Sequence, residues 1–369
     1  MLLKSRSKIM IYYVIFILLG TLFLFDVVSK KKFKLLWYFH FVVTCIFLIF
    51  FTGLRYNIGI DYVSHERIYE SIQSGLLENF SNTNQEKGYF ILNKIFNDFN
   101  VMLFFIALVT LTIKFKVIKN NSIYIFLTLF LYYCLFFIRY DMGLVSQGIA
   151  TAIIMYSYNY VIEEKPVKFI LLVLMASLFH ISAIIFMPFY WVLRKDYTVK
   201  FIVIVILVSF FMAFSSIFNQ IFEYISVLIP RYSVYINHES SFEISVNMFK
   251  RLIFLLIFTY TIKKYYRDNK TYKIFLNMYF FGAVIYYAFK PFWILSDRGS
   301  IYFALSEIFL WGIVLKHYKG VIKRSILASL IILYGLYSLN KAINLDDEVL
   351  KMTSFNRAYI PYQFILDKK

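Results

Sequence analysis

The stretch from Thr52 to Tyr69 carries side chains suited to acid–base chemistry. It reads TGLRYNIGIDYVSHERIY and follows directly on an apolar run that is long enough, with its flanks, to cross a bilayer. A carboxylate can serve as a general base where it reaches the hydroxyl that it deprotonates. Asp61 is the first candidate for that role, because Gly59 keeps backbone bulk low just before it. Two structural roles stay open for Asp61: an ion pair with Arg55, or the cap of a helix that begins near Val63.

Glu66 and His180 are the other candidates for proton transfer. Glu66 follows Asp61 closely in the sequence, and it could instead belong to a solvated helix face. His180 lies in a long apolar run, between Phe179 and Ile181. An ionisable side chain at membrane depth often marks a functional site, although a lone histidine in such a run can also be a hydrogen-bonded core residue. Both interpretations of His180 stay open.

Arginine and lysine are distributed differently along the chain. Lysine dominates one set of links between apolar runs, whereas arginine occurs beside acids and aromatics in the others. A guanidinium offers a fixed fork of donors that suits phosphate or carboxylate, so Arg55, Arg139 and Arg298 are candidates for binding an anion. Arg139 and Arg298 each stand next to an acid, which leaves a local ion pair as the alternative. Arg231 and Tyr232 offer a further guanidinium and a ring that could stack on a sugar.

These groups belong to a sequence with the composition of a membrane protein. Hydrophobic residues make up 61% of the 369 residues, charged residues only 16%, and the mean hydropathy is +0.68. Apolar runs of roughly 15 to 20 residues recur from end to end, which predicts a single integral membrane domain over residues 1–369. The net charge of +18 would suggest nucleic acid in a soluble protein, but most lysines lie in links where positive charge sets orientation. We therefore expect the lipid bilayer, and no nucleic acid, as a partner.

No pattern in the sequence predicts a metal or a cofactor. Cys45 and Cys134 lie in separate apolar runs and have no spacing partner. The motifs HExxH, CxxC and G-x-S-x-G and a phosphate-binding glycine loop are all absent from the sequence. We therefore expect no metal and no cofactor, and zinc proteases and nucleotide-driven pumps have no support.

The apolar runs and the links between them predict the topology. By hydropathy, about eleven runs are helices. Lysine-rich links, among them Lys114 to Lys119, are predicted to be cytoplasmic by the positive-inside rule. The segments predicted to face outward, and to carry the site, are 52–100 with its partly helical parts, 139–141, 219–248, 290–298 and the C-terminal tail 340–369.

One apolar run, 167–193, has lysine-rich links on both sides and therefore cannot cross the membrane once. A break near Phe179 to Ser182 would divide it into two short helices that go in and return. With this break, the sequence predicts an all-α polytopic fold with about 11–12 transmembrane or half-membrane helices. Adjacent runs are predicted to end at Ile138 and to resume at Gly143, with Arg139 to Asp141 as a short outward link.

Five short motifs, found in this order, give the chain a resemblance to a known family. They are GLRYNIGIDYVSHERIY from Gly53, EKGYFILN from Glu86, RYDMGLVSQGIA from Arg139, SLFHISAIIFMP from Ser177 and DRGSIYF from Asp297. Together they span most of the chain, and the sequence resembles the EpsG/Wzy-like family of polysaccharide polymerases. It departs from the family pattern at His65, where an aromatic such as tyrosine is more usual.

The resemblance implies an enzyme of the bacterial inner (plasma) membrane, with a fold similar to that of the GT-C membrane glycosyltransferases. Such an enzyme joins oligosaccharide repeat units carried on undecaprenyl diphosphate into capsular, O-antigen or exopolysaccharide. The site would face the periplasm or the extracellular side. The implied partners are the undecaprenyl-diphosphate-linked oligosaccharide and, from the same pathway, a flippase and a chain-length regulator.

The resemblance also gives roles to the candidate residues. Asp61 would act as the base or orient the acceptor, His180 would be a polar support or an alternative base, and Glu66 is held in reserve. The candidates for binding diphosphate or sugar are Arg55, Arg139, Arg298, Arg231, Tyr232 and Tyr62. A flippase for the lipid-linked oligosaccharide is one alternative, although paired halves or charges deep in many helices would then be expected. A glycan ligase or acyltransferase is the other.

Overall fold

The regular structure of the chain is helical. The computed structural model describes residues 2–28, 34–77, 86–213, 245–344 and 358–367. Within these ranges the only strand-like pairing is an isolated antiparallel bridge between Arg55 and Phe364. The α-helices are α1 (Leu2–Val28), α2 (Lys34–Gly53), α3 (Tyr62–Gln73), α4 (Lys87–Ile95), α5 (Phe99–Asn121), α6 (Ile125–Tyr132), α7 (Val145–Ile162), α8 (Pro166–Ser177), α9 (Phe189–Val192), α10 (Val199–Met212), α11 (Val246–Tyr265), α12 (Lys270–Ala288), α13 (Trp293–Ala304), α14 (Glu307–His317) and α15 (Val321–Ile343).

Several of these helices are long and apolar enough to cross a bilayer. Among the described residues five segments meet this test: Met10–Val28, Leu35–Gly53, Phe99–Asn121, Ile125–Gly143 and Val321–Ile343. A sixth span results if the pair Leu295–Ala304 and Glu307–His317, bent by 45°, is counted as one. The predicted fold class, an all-α polytopic membrane protein, is confirmed. The exact number of crossings stays a prediction.

The predicted outward link at Arg139 to Asp141 is wrong, because these residues are helical. A π-helix, Tyr133–Gly143, continues directly from α6, so that Ile125–Gly143 forms one membrane-length segment. A π-helix has a wider turn than an α-helix and often occurs at functional sites. Arg139 therefore lies near the end of a helix, and hydropathy alone could not show this because RYD interrupts the apolar run.

The sequence predicts Lys114 to lie in a cytoplasmic link, and this prediction is also wrong. It lies inside α5, and only 1% of its side chain is exposed. Its Nζ atom is 2.6 Å from Oδ1 of Asp141 in the π-helix, and the Tyr132 hydroxyl donates to Oδ2 of the same carboxylate. A buried charge is tolerated only where it is paired and hydrogen-bonded, which this carboxylate provides for the lysine.

The predicted break in the run 167–193 is confirmed. Helix α8 ends at Ser177, a 3₁₀ helix follows at Ile181–Phe186, and α9 is a single turn. His180 lies in the gap between α8 and the 3₁₀ helix. The motif DRGSIYF, by contrast, falls inside α13 rather than in an outward link, because α13 already begins at Trp293.

The chain divides into two compact units. The first comprises Met1–Tyr156, Leu174–Ile181 and Tyr318–Lys369. In it α1 packs on α6, α2 packs on α5, and α15 packs on the π-helix. Asp98 is the N-cap of helix α5, and its side chain accepts a hydrogen bond from the Val101 amide at 2.8 Å.

The second unit comprises Ser157–Val173 and Ser182–His317. Helix α12 is its centre, and it packs on α10, α11, α13 and α14. The buried Asn277 amide on α12 donates to the carbonyls of Leu193 and Lys195, both at 2.8 Å. These bonds satisfy carbonyls at the end of α9 that would otherwise have no partner.

Candidate active site

The loop after α2 brings the first candidate residues into place, and Gly59 determines its path. Gly59 has φ +118°, a backbone conformation that is unfavourable for every residue except glycine. A Cβ atom there would lie 2.2 Å from the Met142 carbonyl oxygen of the π-helix. The Asp61 amide donates to the Gly143 carbonyl at 3.3 Å. The loop therefore lies directly against the end of the helix that carries Arg139.

A segment from the far end of the sequence covers this loop. We call Ala358–Phe364 the tail segment. The Tyr56 amide donates to the Gln363 carbonyl at 3.0 Å, and the Gly59 amide donates to the Ala358 carbonyl at 2.8 Å. With the bridge between Arg55 and Phe364, these bonds hold the tail segment along the whole loop.

Side chains of the tail segment also attach it to the helices of the first unit. The Tyr362 ring stacks on Phe51 of α2, with centroids 4.4 Å apart and planes inclined by 9°. The Tyr362 hydroxyl donates to the Phe51 carbonyl at 2.7 Å, and the Tyr12 hydroxyl donates to the Tyr359 carbonyl at 2.8 Å. The tail segment is thus a packed part of the first unit.

We predict that the change Tyr362→Leu releases the tail segment. It removes a stacked pair and a hydrogen bond, each worth about 1 kcal/mol. The measurement is proteolysis of the purified protein with an epitope tag placed after Lys369, where the variant should lose the tag faster than the wild type. Tyr337→Leu is the matched control, because Tyr337 lies on α15 with its side chain exposed. Equal rates of tag loss for Tyr362→Leu and this control would contradict the prediction.

Asp61 presents an accessible carboxylate beside the loop. Its side chain is 36% exposed, and Oδ2 lies 3.7 Å from Nε2 of His65, one turn along α3. Asp61 occupies the N-cap position of α3 but makes no capping bond with its side chain. No ion pair joins it to Arg55 within the described residues. Neither structural alternative for Asp61 is therefore adopted.

Arg55 is buried and holds the loop together from inside. Its side chain is almost fully buried; Nε donates to the Ile58 carbonyl at 3.2 Å and Nη1 to the Thr52 carbonyl at 2.6 Å. Burial lowers the pKa of Arg55, but the pKa of a guanidinium is so high that the group stays charged. Its positive charge is therefore fixed in position inside the loop, beside the tail segment.

Arg139 is half-buried near the end of the π-helix, with its guanidinium carbon 5.7 Å from the centre of the Tyr140 ring. The neighbouring Asp141 pairs with Lys114 and not with Arg139. A small, mainly apolar cavity between α5, the π-helix and α7 is lined by Arg55 and Asp141. The local ion pair that was the alternative for Arg139 is therefore not formed by its neighbouring acid.

Three buried polar atoms near these charges have no hydrogen-bond partner in the described part of the chain. They are Nδ1 of His65 and the hydroxyls of Tyr89 and Tyr359. The His65 and Tyr89 rings are in contact, with centroids 4.4 Å apart. His65 in turn lies beside Asp61, and the Tyr359 hydroxyl lies against Gly143, whose carbonyl accepts from the Asp61 amide. Buried polar groups are nearly always bonded, so such atoms together indicate a place for a ligand.

His180 forms a second polar contact in the first unit. Its Nδ1 atom lies 3.2 Å from Oε1 of Glu86, and both side chains are largely buried. The Gly88 amide donates to the Leu178 carbonyl at 2.8 Å, which places the start of α4 on the end of α8. Nε2 of His180 is buried without a hydrogen-bond partner among the described residues. The motifs EKGY and LFHIS therefore meet at one point.

The other candidates lie at different places. Tyr62 is buried in α3, and its hydroxyl donates to Oδ1 of Asn100 at 3.1 Å, so it packs α3 against α5. Glu66 is half-buried on α3. Arg298 belongs to the second unit, on α13. Arg231 and Tyr232 lie outside the described residues. In the described ranges, no group of three or more His, Cys, Asp or Glu side chains could hold a metal ion.

Comparison with known protein families gives one match. The model of the EpsG family matches residues 38–364, which is most of the chain and includes the loop, the π-helix and the tail segment. The chain belongs to the EpsG family. The resemblance expected from the five motifs is thereby confirmed. Comparisons with curated proteins and with solved structures found no match. The similarity to a GT-C fold therefore stays a prediction, whereas a multi-pass membrane protein of the EpsG family is established.

Some residues that the structure places in or near the candidate site do not stand out in the sequence. The sequence predicts only that Tyr359 lies in an outward tail, although the three aromatics of YIPYQF indicate a segment that packs against the rest of the protein. Lys114 was treated as a topological charge, although an acid at Asp141 in a nearby run offered it a partner. For Tyr89, the sequence gives no indication of a role beyond the motif EKGYFILN that contains it. Tyr359 is far in the sequence from Gly143, against which its hydroxyl lies, and only the fold brings these two residues together.

Proposed function

We propose that this EpsG-family protein is a membrane glycosyltransferase that polymerises oligosaccharide repeat units carried on undecaprenyl diphosphate. The observation that carries the proposal is the grouping, within one unit, of Arg55 and Asp61 on the loop after α2 with Arg139 on the π-helix against which that loop packs. A transfer from a lipid diphosphate needs positive charge at the leaving group and a base at the acceptor. This grouping supplies both.

The reaction can be written with these groups. The acceptor hydroxyl of one repeat unit attacks the anomeric carbon of the chain held on the lipid diphosphate. Asp61 takes the hydroxyl proton as the new glycosidic bond forms and the bond to the diphosphate oxygen breaks. Arg139, with Arg55 behind it, stabilises the negative charge that develops on the leaving diphosphate. The proton then passes from Asp61 to solvent or to the released lipid diphosphate, which restores the carboxylate.

Other candidate residues have supporting parts in this proposal. His65 lies next to Asp61 and can orient its carboxylate. His180 and Glu86 hold α4, and with it Tyr89, against the end of α8. Arg298 lies in the second unit, and its role stays a prediction from the sequence. We further propose that the site faces the outer side of the bacterial inner membrane, where repeat units become accessible to a polymerase.

We predict that Asp61→Asn and Arg139→Ala each reduce chain growth by roughly a hundredfold or more, because each removes a group used in the transition state. The measurement is the length distribution of the polysaccharide made by cells in which the variant replaces the native protein. Asp268→Asn and Arg267→Ala are matched controls, since both side chains are exposed between α11 and α12. Both variants and both controls should accumulate in the membrane at the level of the native protein.

Three outcomes separate the functions. Single repeat units on the cell surface of the Asp61→Asn strain are expected for a polymerase. Units retained inside the cell would instead indicate transport of the lipid-linked unit. A normal polymer length in both the Asp61→Asn and the Arg139→Ala strains would rule out these roles for the two residues.

A further inference from the structure

The tail segment contributes a side chain to the candidate active site. Tyr359 is almost fully buried, and its hydroxyl points at Gly143, where a Cβ atom would lie only 2.1 Å from the hydroxyl oxygen. A residue larger than glycine at this position of the π-helix would exclude the hydroxyl. The end of the helix that carries Arg139 is therefore shaped to receive Tyr359.

The Tyr359 hydroxyl is not among the hydrogen-bonding groups that hold the tail segment. The segment is held by backbone bonds, by Tyr12 and by Tyr362, whereas the Tyr359 hydroxyl has no hydrogen-bond partner among the described residues. A buried hydroxyl without a partner costs free energy relative to phenylalanine, which would pack equally well. A tyrosine at this position needs an explanation other than stability.

We propose that Tyr359 is a substrate-binding residue whose hydroxyl donates a hydrogen bond to a phosphate oxygen of the lipid-linked donor. This inference rests on the proposed function and adds a residue to that same site. The hydroxyl lies against Gly143, which accepts a hydrogen bond from the Asp61 amide and belongs to the same π-helix as Arg139. An oxygen of a diphosphate bound by Arg139 would be an acceptor for it, since anionic oxygens form the stronger hydrogen bonds.

The protonation state of Tyr359 agrees with a donor role. Burial raises the pKa of Tyr359 above its usual value; the guanidinium groups of Arg139 and Arg55 oppose this rise and the Asp61 carboxylate adds to it. The hydroxyl therefore keeps its proton at physiological pH. It can donate to an anion but cannot act as a base.

The test compares Tyr359→Phe with Tyr362→Phe in the purified full-length protein. Two quantities are measured: the thermal unfolding midpoint, and the binding of undecaprenyl diphosphate, with undecaprenol as the uncharged comparison. Tyr359→Phe removes an unbonded hydroxyl, so the midpoint should stay the same or rise, while diphosphate binding weakens roughly ten- to hundredfold. Tyr362→Phe removes the bond to the Phe51 carbonyl, so its midpoint should fall.

The results separate this inference from the function on which it rests. Diphosphate binding that is equally tight in the wild type and in Tyr359→Phe overturns the role of Tyr359 and leaves the proposed function intact. A midpoint of Tyr359→Phe that falls as far as that of Tyr362→Phe also overturns it, because the hydroxyl would then be structural. A wild-type protein that binds undecaprenyl diphosphate no better than undecaprenol contradicts the proposed function itself.

Discussion

Replacing Lys114 by methionine is expected to destabilise the protein by about 3–5 kcal/mol. The change leaves the Asp141 carboxylate buried in the π-helix with the Tyr132 hydroxyl but without its lysine. A buried charge that has lost its partner is far more costly than an exposed one. The effect should appear as a lower thermal unfolding midpoint in detergent and as less protein in the membrane.

Two further variants identify the lost ion pair as the cause. Lys116→Met is the matched control, because Lys116 is exposed on the same helix and should tolerate the change. In the double variant Lys114→Met with Asp141→Asn, the buried charge is gone and Tyr132 keeps an acceptor, so much of the lost stability should return. Equal unfolding midpoints for Lys114→Met and Lys116→Met would show that the ion pair between Lys114 and Asp141 contributes nothing to stability.

Replacing Gly59 by alanine is expected to abolish chain growth. The methyl group would meet the Met142 carbonyl at 2.2 Å, and φ +118° adds strain on the order of 1–3 kcal/mol for a residue with a side chain. The loop must then move away from the π-helix and from the tail segment, which displaces Asp61 relative to Arg139. Polysaccharide length in cells that carry the variant measures this effect.

Gly320→Ala is the control for this variant. Gly320 precedes α15, and a Cβ atom there would meet nothing within 4 Å, so polymer length should be unchanged. Both variants should insert into the membrane, because neither glycine lies within a candidate span. A Gly59→Ala strain that makes polymer of normal length would show that the path of this loop is not needed.

The sequence allowed prediction of the fold class from hydropathy, and of the break at His180 from the lysine-rich links on both sides of that run. Long apolar runs must be helices in a bilayer, where backbone groups have no other partners. The π-helix could not be predicted in this way, since RYD at Arg139 to Asp141 has the composition of a link. Asp141 in this segment pairs with Lys114, which lies 27 positions earlier, and hydropathy gives no information on such a contact.

The candidate site was predicted in part, for a similar reason. Asp61, Arg55 and Arg139 stand out because polar residues are rare in this chain, and the fold packs the loop that carries the first two against the π-helix that carries Arg139. The position of the Arg55 side chain depends on the path of the loop after α2, and Gly59 and the tail segment determine that path. Tyr359 could not be placed at all, because its position follows from contacts with Gly143 and Tyr12 that are far away in sequence.

The pairing of the tail segment with the loop after α2 has a consequence for biosynthesis. The Tyr362 hydroxyl bonds to a carbonyl 311 positions earlier, so the two parts leave the ribosome at very different times. During that interval α1 to α15 have been synthesised, but the segment that covers Arg55 is still missing. The loop after α2 can therefore reach its final packing only when synthesis has passed Phe364.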